Sequence, residues 1–138
     1  MFTFGRENEL KHAINFVGNP EKAAFLTDVI NAVHDLLENI ISEQAAIDIF
    51  AKAFCEGKSG IWESTGSWLR KLGGEYPEVL GLWETLAKHK SATVRYRVAC
   101  HLNDLPESTR LNIVGELVDD KSKKVKSMME ARLEEQNS

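Results

Sequence analysis

The chain repeats itself. Slid along itself by 31 residues, Leu80, Leu86, Lys90, Ser91, Val94 and Leu102 fall on Leu111, Leu117, Lys121, Ser122, Val125 and Leu133. That is six identities in 29 positions, where roughly two would arise by chance for ordinary compositions. Leu82 also falls on Ile113, Trp83 on Val114 and Arg95 on Lys126. A shift of 33 lays Ile47, Ile49, Phe50, Ile61, Leu69 and Leu72 on Leu80, Leu82, Trp83, Val94, Leu102 and Leu105, so the apolar positions persist in a third copy. A unit this short cannot bury its own apolar face and must stack on its neighbours. A coiled coil is the main rival for amphipathic helices, and breaking turns at this period argue against it.

Within each copy the apolar residues recur near every 3.6 positions. Phe25, Leu26, Val29, Ile30, Val33, Leu36, Leu37 and Ile40 predict a helix over 21–40, with Asp28, Asp35 and Glu38 turned away from that stripe. Asn19-Pro20-Glu21 opens it with a capping side chain, a proline at the first helical position and an acid in the first turn. An earlier helix over 6–17 carries Leu10, Ile14 and Val17 and stops at Gly18. Ser42 caps a helix with Ala46, Ile47, Phe50, Ala53 and Phe54 on one face, ending at Gly57. Further helices are expected at 60–72, 77–88, 92–103, 107–118 and 122–135, and no period-2 run predicts a strand. The turns Gly57-Lys58-Ser59, His89-Lys90-Ser91 and Asp120-Lys121-Ser122 are short, which forces antiparallel neighbours, and each ends in a serine suited to cap the next helix. The expected fold is all-α, an α-α superhelix: a right-handed solenoid arc of about eight antiparallel helices in one domain over 1–138. Helices within 1–41 cap one end, and helix pairs follow at 43–73, 76–104 and 107–135.

The run Val94-Arg95-Tyr96-Arg97-Val98-Ala99-Cys100-His101-Leu102, after its Lys-Ser turn, resembles the second helix of a HEAT repeat. That pattern is a polar turn, Val-Arg, two variable residues, two small residues and a terminal Leu. Val125-Lys126 through Ala131-Arg132-Leu133 is a weaker copy, and the resemblance covers about 43–135. It implies architecture rather than activity. The usual inter-helix Asp of the family is Ser91 or Ser122 here.

With 138 residues, 43% apolar and 28% charged, the chain has the composition of one soluble domain. Two cysteines exclude a disulfide framework or a four-thiolate zinc site and point to a reduced, cytoplasmic setting. The N-terminus turns charged at Arg6 without a signal-peptide core, and no apolar run approaches a membrane span. The net charge of −4 is uneven: residues 1–57 hold four Lys/Arg against nine Asp/Glu, and 58–138 hold thirteen against twelve. An acidic half steers cationic partners, and neither half is basic enough for general nucleic-acid binding. HExxH, GxSxG, Walker and GxGxxG motifs are all missing from the sequence. Cys100 and His101 diverge by about 100° on a helix, as do His34 and Asp35, so neither pair makes a nucleophile and base. The four histidines form no i, i+4 metal pair. No catalysis, metal or cofactor is expected.

A helical wheel clusters Val94, Val98, His101, Leu102 and Leu105 toward the core and turns Tyr96, Cys100 and Asn103 outward, flanked by Thr93 and Arg97. In repeat register, Glu63, Ser67 and Arg70 precede this stripe, and Lys124, Ser127 and Glu134 follow it. Second helices line the concave face of such solenoids, and this mixed polar stripe suits a protein partner. Asp35 and Glu38 form a second candidate surface in the acidic half. Trp83 aligns with Phe50 and reads as core, whereas Trp62 and Trp68, six apart, cannot both point inward, leaving one as a candidate anchor. The run Lys121 to Lys126 reads first as a solvated helix start. The expectation is a non-catalytic protein-binding module. Its acidity and repeats resemble small bacterial immunity proteins, which implies direct neutralisation of a basic toxin domain, a nuclease among the candidates. A HEAT-like adaptor is the alternative, followed by a DNA binder resembling HEAT-like DNA glycosylases. Glu63 and Glu134 interrupt the basic stripe that the last would need.

Overall fold

A computed structural model describes residues 1–137, apart from the side chains of 15–17. Val17, expected on the apolar face of the first helix, lies outside those described side chains. Among the described residues there are eight α-helices, one 3₁₀ turn and no strand. The fold is all-α. The chain divides into two compact units, Met1–Val79 and Leu80–Ser138.

The first unit contains α1 (Arg6–Val17), α2 (Pro20–Leu37), α3 (Glu43–Glu56), α4 (Ile61–Leu72) and the start of α5 (Pro77–Ala87). Helices α1, α2 and α3 each pack on the next, and α4 also reaches α2. The starts follow from side-chain capping of orphan N–H groups. Asn19 Oδ1 accepts from the N–H groups of Glu21 (3.0 Å) and Lys22 (3.3 Å), and Ser42 Oγ accepts from Ala45 at 3.1 Å. Ser59 does not cap α4. Gly60 takes that position at φ 87°, where an L side chain would be strained, and its N–H donates to Glu63 Oε1 at 2.5 Å. Val29, Val33, Leu36, Ala46, Phe50, Phe54, Leu69 and Leu72 are buried, as their periodicity predicts.

The second helix is shorter than expected. Asn39 adopts φ 60°, and the Ile40 N–H turns back onto the Asp35 carbonyl at 2.7 Å. Asn tolerates that left-handed conformation, and the chain leaves the helix there. Ile40 is therefore 64% exposed, and Ile14 on α1 is likewise exposed. Between α3 and α4, Gly57 is buried against its neighbours: an added Cβ would overlap both Ile61 Cγ2 and the Ala53 carbonyl oxygen. Gly57→Ala is expected to destabilise by about 1–3 kcal/mol through overpacking, because one of the clashing atoms is backbone. An unchanged denaturant midpoint would show that this turn adjusts freely.

The second unit holds the rest of α5, then α6 (Ala92–Cys100), a 3₁₀ turn (Leu102–Asp104), α7 (Glu107–Leu117) and α8 (Lys123–Gln136). Helix α6 packs on α8, and α7 contacts both. The 31-residue register reappears as burial: Leu82 and Ile113, Leu86 and Leu117, Val94 and Val125, Val98 and Met129 are all buried pairs. Helix α6 ends three residues before the expected 103, and its last turn tightens into the 3₁₀ segment. Ser122 caps α8 through Val125 N–H at 3.5 Å, but the Ser91 side chain makes no capping bond on α6.

What holds the turn before α6 is Arg95. Only 8% exposed, it donates through Nε and Nη2 to both Asp120 oxygens at 2.9 and 3.2 Å. Its Nη1 donates to the carbonyls of His89 (2.8 Å) and Lys90 (3.0 Å). Asp120 in turn accepts from the Ser122 N–H at 2.8 Å. One buried arginine thus ties the α5–α6 turn to the α7–α8 turn. Burial alone would raise the Asp120 carboxyl. The Arg95 hydrogen bonds, the Ser122 N–H and the charges of Arg95 and Lys121 outweigh it and pull the carboxyl down.

Candidate functional site

In the second unit, the polar stripe of α6 faces α8. Asn103 Nδ2 donates to the Arg132 carbonyl (3.1 Å) and Glu135 Oε2 (3.0 Å), while its Oδ1 accepts from Gln136. Arg132 Nε donates to the Cys100 carbonyl at 3.1 Å. Lys124 Nζ lies 4.2 Å from the centre of the Tyr96 ring, a cation–π distance. The Tyr96 hydroxyl shares a hydrogen bond with the Cys100 thiol, and that contact together with burial raises it, against the opposing charge of Arg132. Tyr96, Cys100 and Asn103 are half-buried and engaged in this seam. Arg97 is also half-buried, whereas Thr93, Lys124, Ser127 and Glu134 are exposed.

In the first unit, Glu63 serves α4: beside its bond to Gly60, its Oε2 accepts from the Ser59 hydroxyl at 3.3 Å. Ser67 is half-buried and Arg70 exposed. Trp62 and Trp68 are both half-buried. Trp62 meets Phe54 edge-on with centroids 6.3 Å apart, and Lys71 Nζ lies 4.9 Å from the Trp68 ring centre. Asp35 and Glu38 are not independent surface acids, because Arg6 Nη2 contacts both at 2.7 Å. The hydrogen bond to Asp35 is the largest influence on Arg6 and raises it further, with Glu38 adding and desolvation opposing.

Two concavities in this unit lie outside the surfaces that the sequence pattern predicts. One, of about 380 Å³, runs between α2 and α3, with Phe25 and Ile49 half-buried in it and Glu21, Asp28 and Lys52 exposed around them. The other, about 580 Å³, is walled by the N-terminal segment, α1, α2 and α4 through Phe4, Ala13, Leu26, Ile30 and Trp68. Its lining includes the Glu9 carboxylate, whose Oε1 accepts from His34 Nε2 at 2.5 Å and whose Oε2 accepts from the Phe4 N–H at 3.3 Å. Both partners of the Glu9–His34 pair are about nine-tenths buried. The signal existed in the sequence: Glu9 and Ala13 stand at i, i+4 on one face of α1. Finding it required knowing that α1 lies on α2 opposite His34, a pairing 25 residues long that periodicity does not specify.

Among the described residues, no three His, Cys, Asp or Glu side chains gather as metal ligands, and no helix is long and apolar enough to cross a membrane. Comparison with protein-family models, curated proteins and solved structures finds no match to this chain.

Proposed function

We propose that the chain is a non-catalytic protein-binding module of the immunity type, acting in the cytoplasm by binding and neutralising a basic toxin domain. The observation that carries this reading is the charge carried by the first unit. Met1–Val79 has seven Lys/Arg and twelve Asp/Glu, giving −5, whereas the remaining residues give +1. That acidity flanks a concave surface between α2 and α3 with apolar side chains at its floor, the composition of a protein interface with a polar rim. The all-helical, self-repeating construction and the HEAT-like run at Val94–Leu102 agree with it. Acids at such a rim accelerate encounter with a cationic partner and mask the surface with which it would grip nucleic acid.

The test uses the product of the gene flanking this one. A stable complex with a basic toxin domain encoded there is expected. Reversing Glu21 and Asp28 to Lys is expected to slow association by about tenfold or more at low salt, with the loss shrinking as salt rises. Asp35 and Glu38 are poorer positions for reversal, since two lysines there would face Arg6 and strain the fold. Should the complex form with an on-rate indifferent to both Glu21→Lys/Asp28→Lys and salt, while Tyr96→Ala or Arg97→Glu abolishes it, the α6 stripe carries binding instead. Absence of any complex overturns the immunity reading.

A further inference from the structure

We propose that the cavity between α1, α2 and α4 binds a small organic cation with an apolar body, an arylalkyl or alkyl ammonium. Its volume, about 580 Å³, lies within the range of small-ligand pockets. Its walls are mainly apolar, with two aromatic side chains, Phe4 and Trp68, among them. One carboxylate and the His12 imidazole line it, and no Lys or Arg does. An anionic ligand would face Glu9 with no Lys or Arg on the lining to offset it, whereas an ammonium gains the carboxylate and aromatic neighbours, Phe4 largely exposed and Trp68 with Lys71 Nζ 4.9 Å from its ring centre. Glu9 can accept it. A carboxylate offers about four lone-pair directions, and His34 and the Phe4 N–H occupy two of them. Those two bonds hold the carboxylate in place, so the ligand meets an acceptor already oriented. Asn8 and Ser64, also on the lining, supply neutral polar groups.

This inference is independent of the protein partner and is tested without one. The full chain is titrated with phenethylammonium and with 3-phenylpropanoate, matched in ring and chain but opposite in charge. Binding is followed by saturation-transfer NMR and by tryptophan emission. The ammonium is expected to bind at least about tenfold more tightly than the carboxylate, the ratio that about 1.4 kcal/mol of charge discrimination produces. Glu9→Gln should bring the two ligands to similar weak affinity. Because that variant also alters the His34 contact, Ser64→Phe provides a second test: it fills the cavity from α4 and should abolish ammonium binding while circular dichroism and Tm stay near wild type. Equal or tighter binding of the carboxylate, no saturable binding of the ammonium, or a Ser64→Phe variant that binds as before would each overturn the proposal.

Discussion

Arg95→Met is expected to cost about 3–5 kcal/mol, because it leaves Asp120 charged, buried and without its partner. The side chains of this pair are only 10% and 7% exposed, so solvent does little to replace the lost contact. The substitution also releases the carbonyls of His89 and Lys90, which Arg95 holds at 2.8 and 3.0 Å. The double variant Arg95→Met/Asp120→Leu should recover part of the loss, since apolar side chains can replace an ion pair but cannot satisfy those carbonyls or the Ser122 N–H. Denaturant unfolding of the two single variants and the double closes the cycle. Strict additivity would show that the two groups do not interact. The pH dependence has a fixed sign. Asp120 is pulled below its ordinary value in the fold, so its contribution is complete above the unfolded value and is lost as pH falls through the lower, folded one. The deficit of Asp120→Ala against wild type should therefore hold steady from neutral pH to about 5 and shrink only below about 4.

Residues whose cause is local were legible from the sequence, and those joined across helices were not. Asn19-Pro20 and Ser42 mark helix starts because the capping atom lies within three residues of the N–H it satisfies. Buried positions such as Phe50, Leu69, Trp83 and Val98 follow from periodicity and from the repeat register. Arg95 holds the Arg of the HEAT-like Val-Arg pair, but the acid usual in that family's turn is replaced by Ser91 or Ser122 here. The acid that pairs with it, Asp120, lies 25 residues away, two positions ahead of the expected one. The candidate surfaces suffered similarly. A helical wheel shows which side chains leave the core but not what stands opposite, so Asn103 emerged as outward although α8 occupies its hydrogen-bonding groups. Asp35 and Glu38 do face away from the α2 core stripe, yet Arg6 on α1 meets them there.

The repeat itself makes the last prediction. Phe50, Trp83 and Val114 share one position in the sequence repeat. Phe50 and Trp83 are fully buried, whereas Val114 is partly exposed. Trp83 also lies against the His101 ring, with centroids 5.2 Å apart at 51°, so one large side chain joins α5 to the end of α6. Trp83→Ala and Phe50→Ala should each destabilise by about 3–5 kcal/mol, transfer loss and residual cavity together. Val114→Ala removes two methyl carbons from a site already open to water and should cost about 1 kcal/mol or less. The order matters more than the sizes. Stacked repeats need their terminal unit to present a wetter outer face than the central ones, and the series tests whether this chain follows that gradient. Tm and denaturant midpoints for the three variants, measured side by side, decide it. Equal losses at all three positions would mean that the last helix pair is packed as an internal repeat.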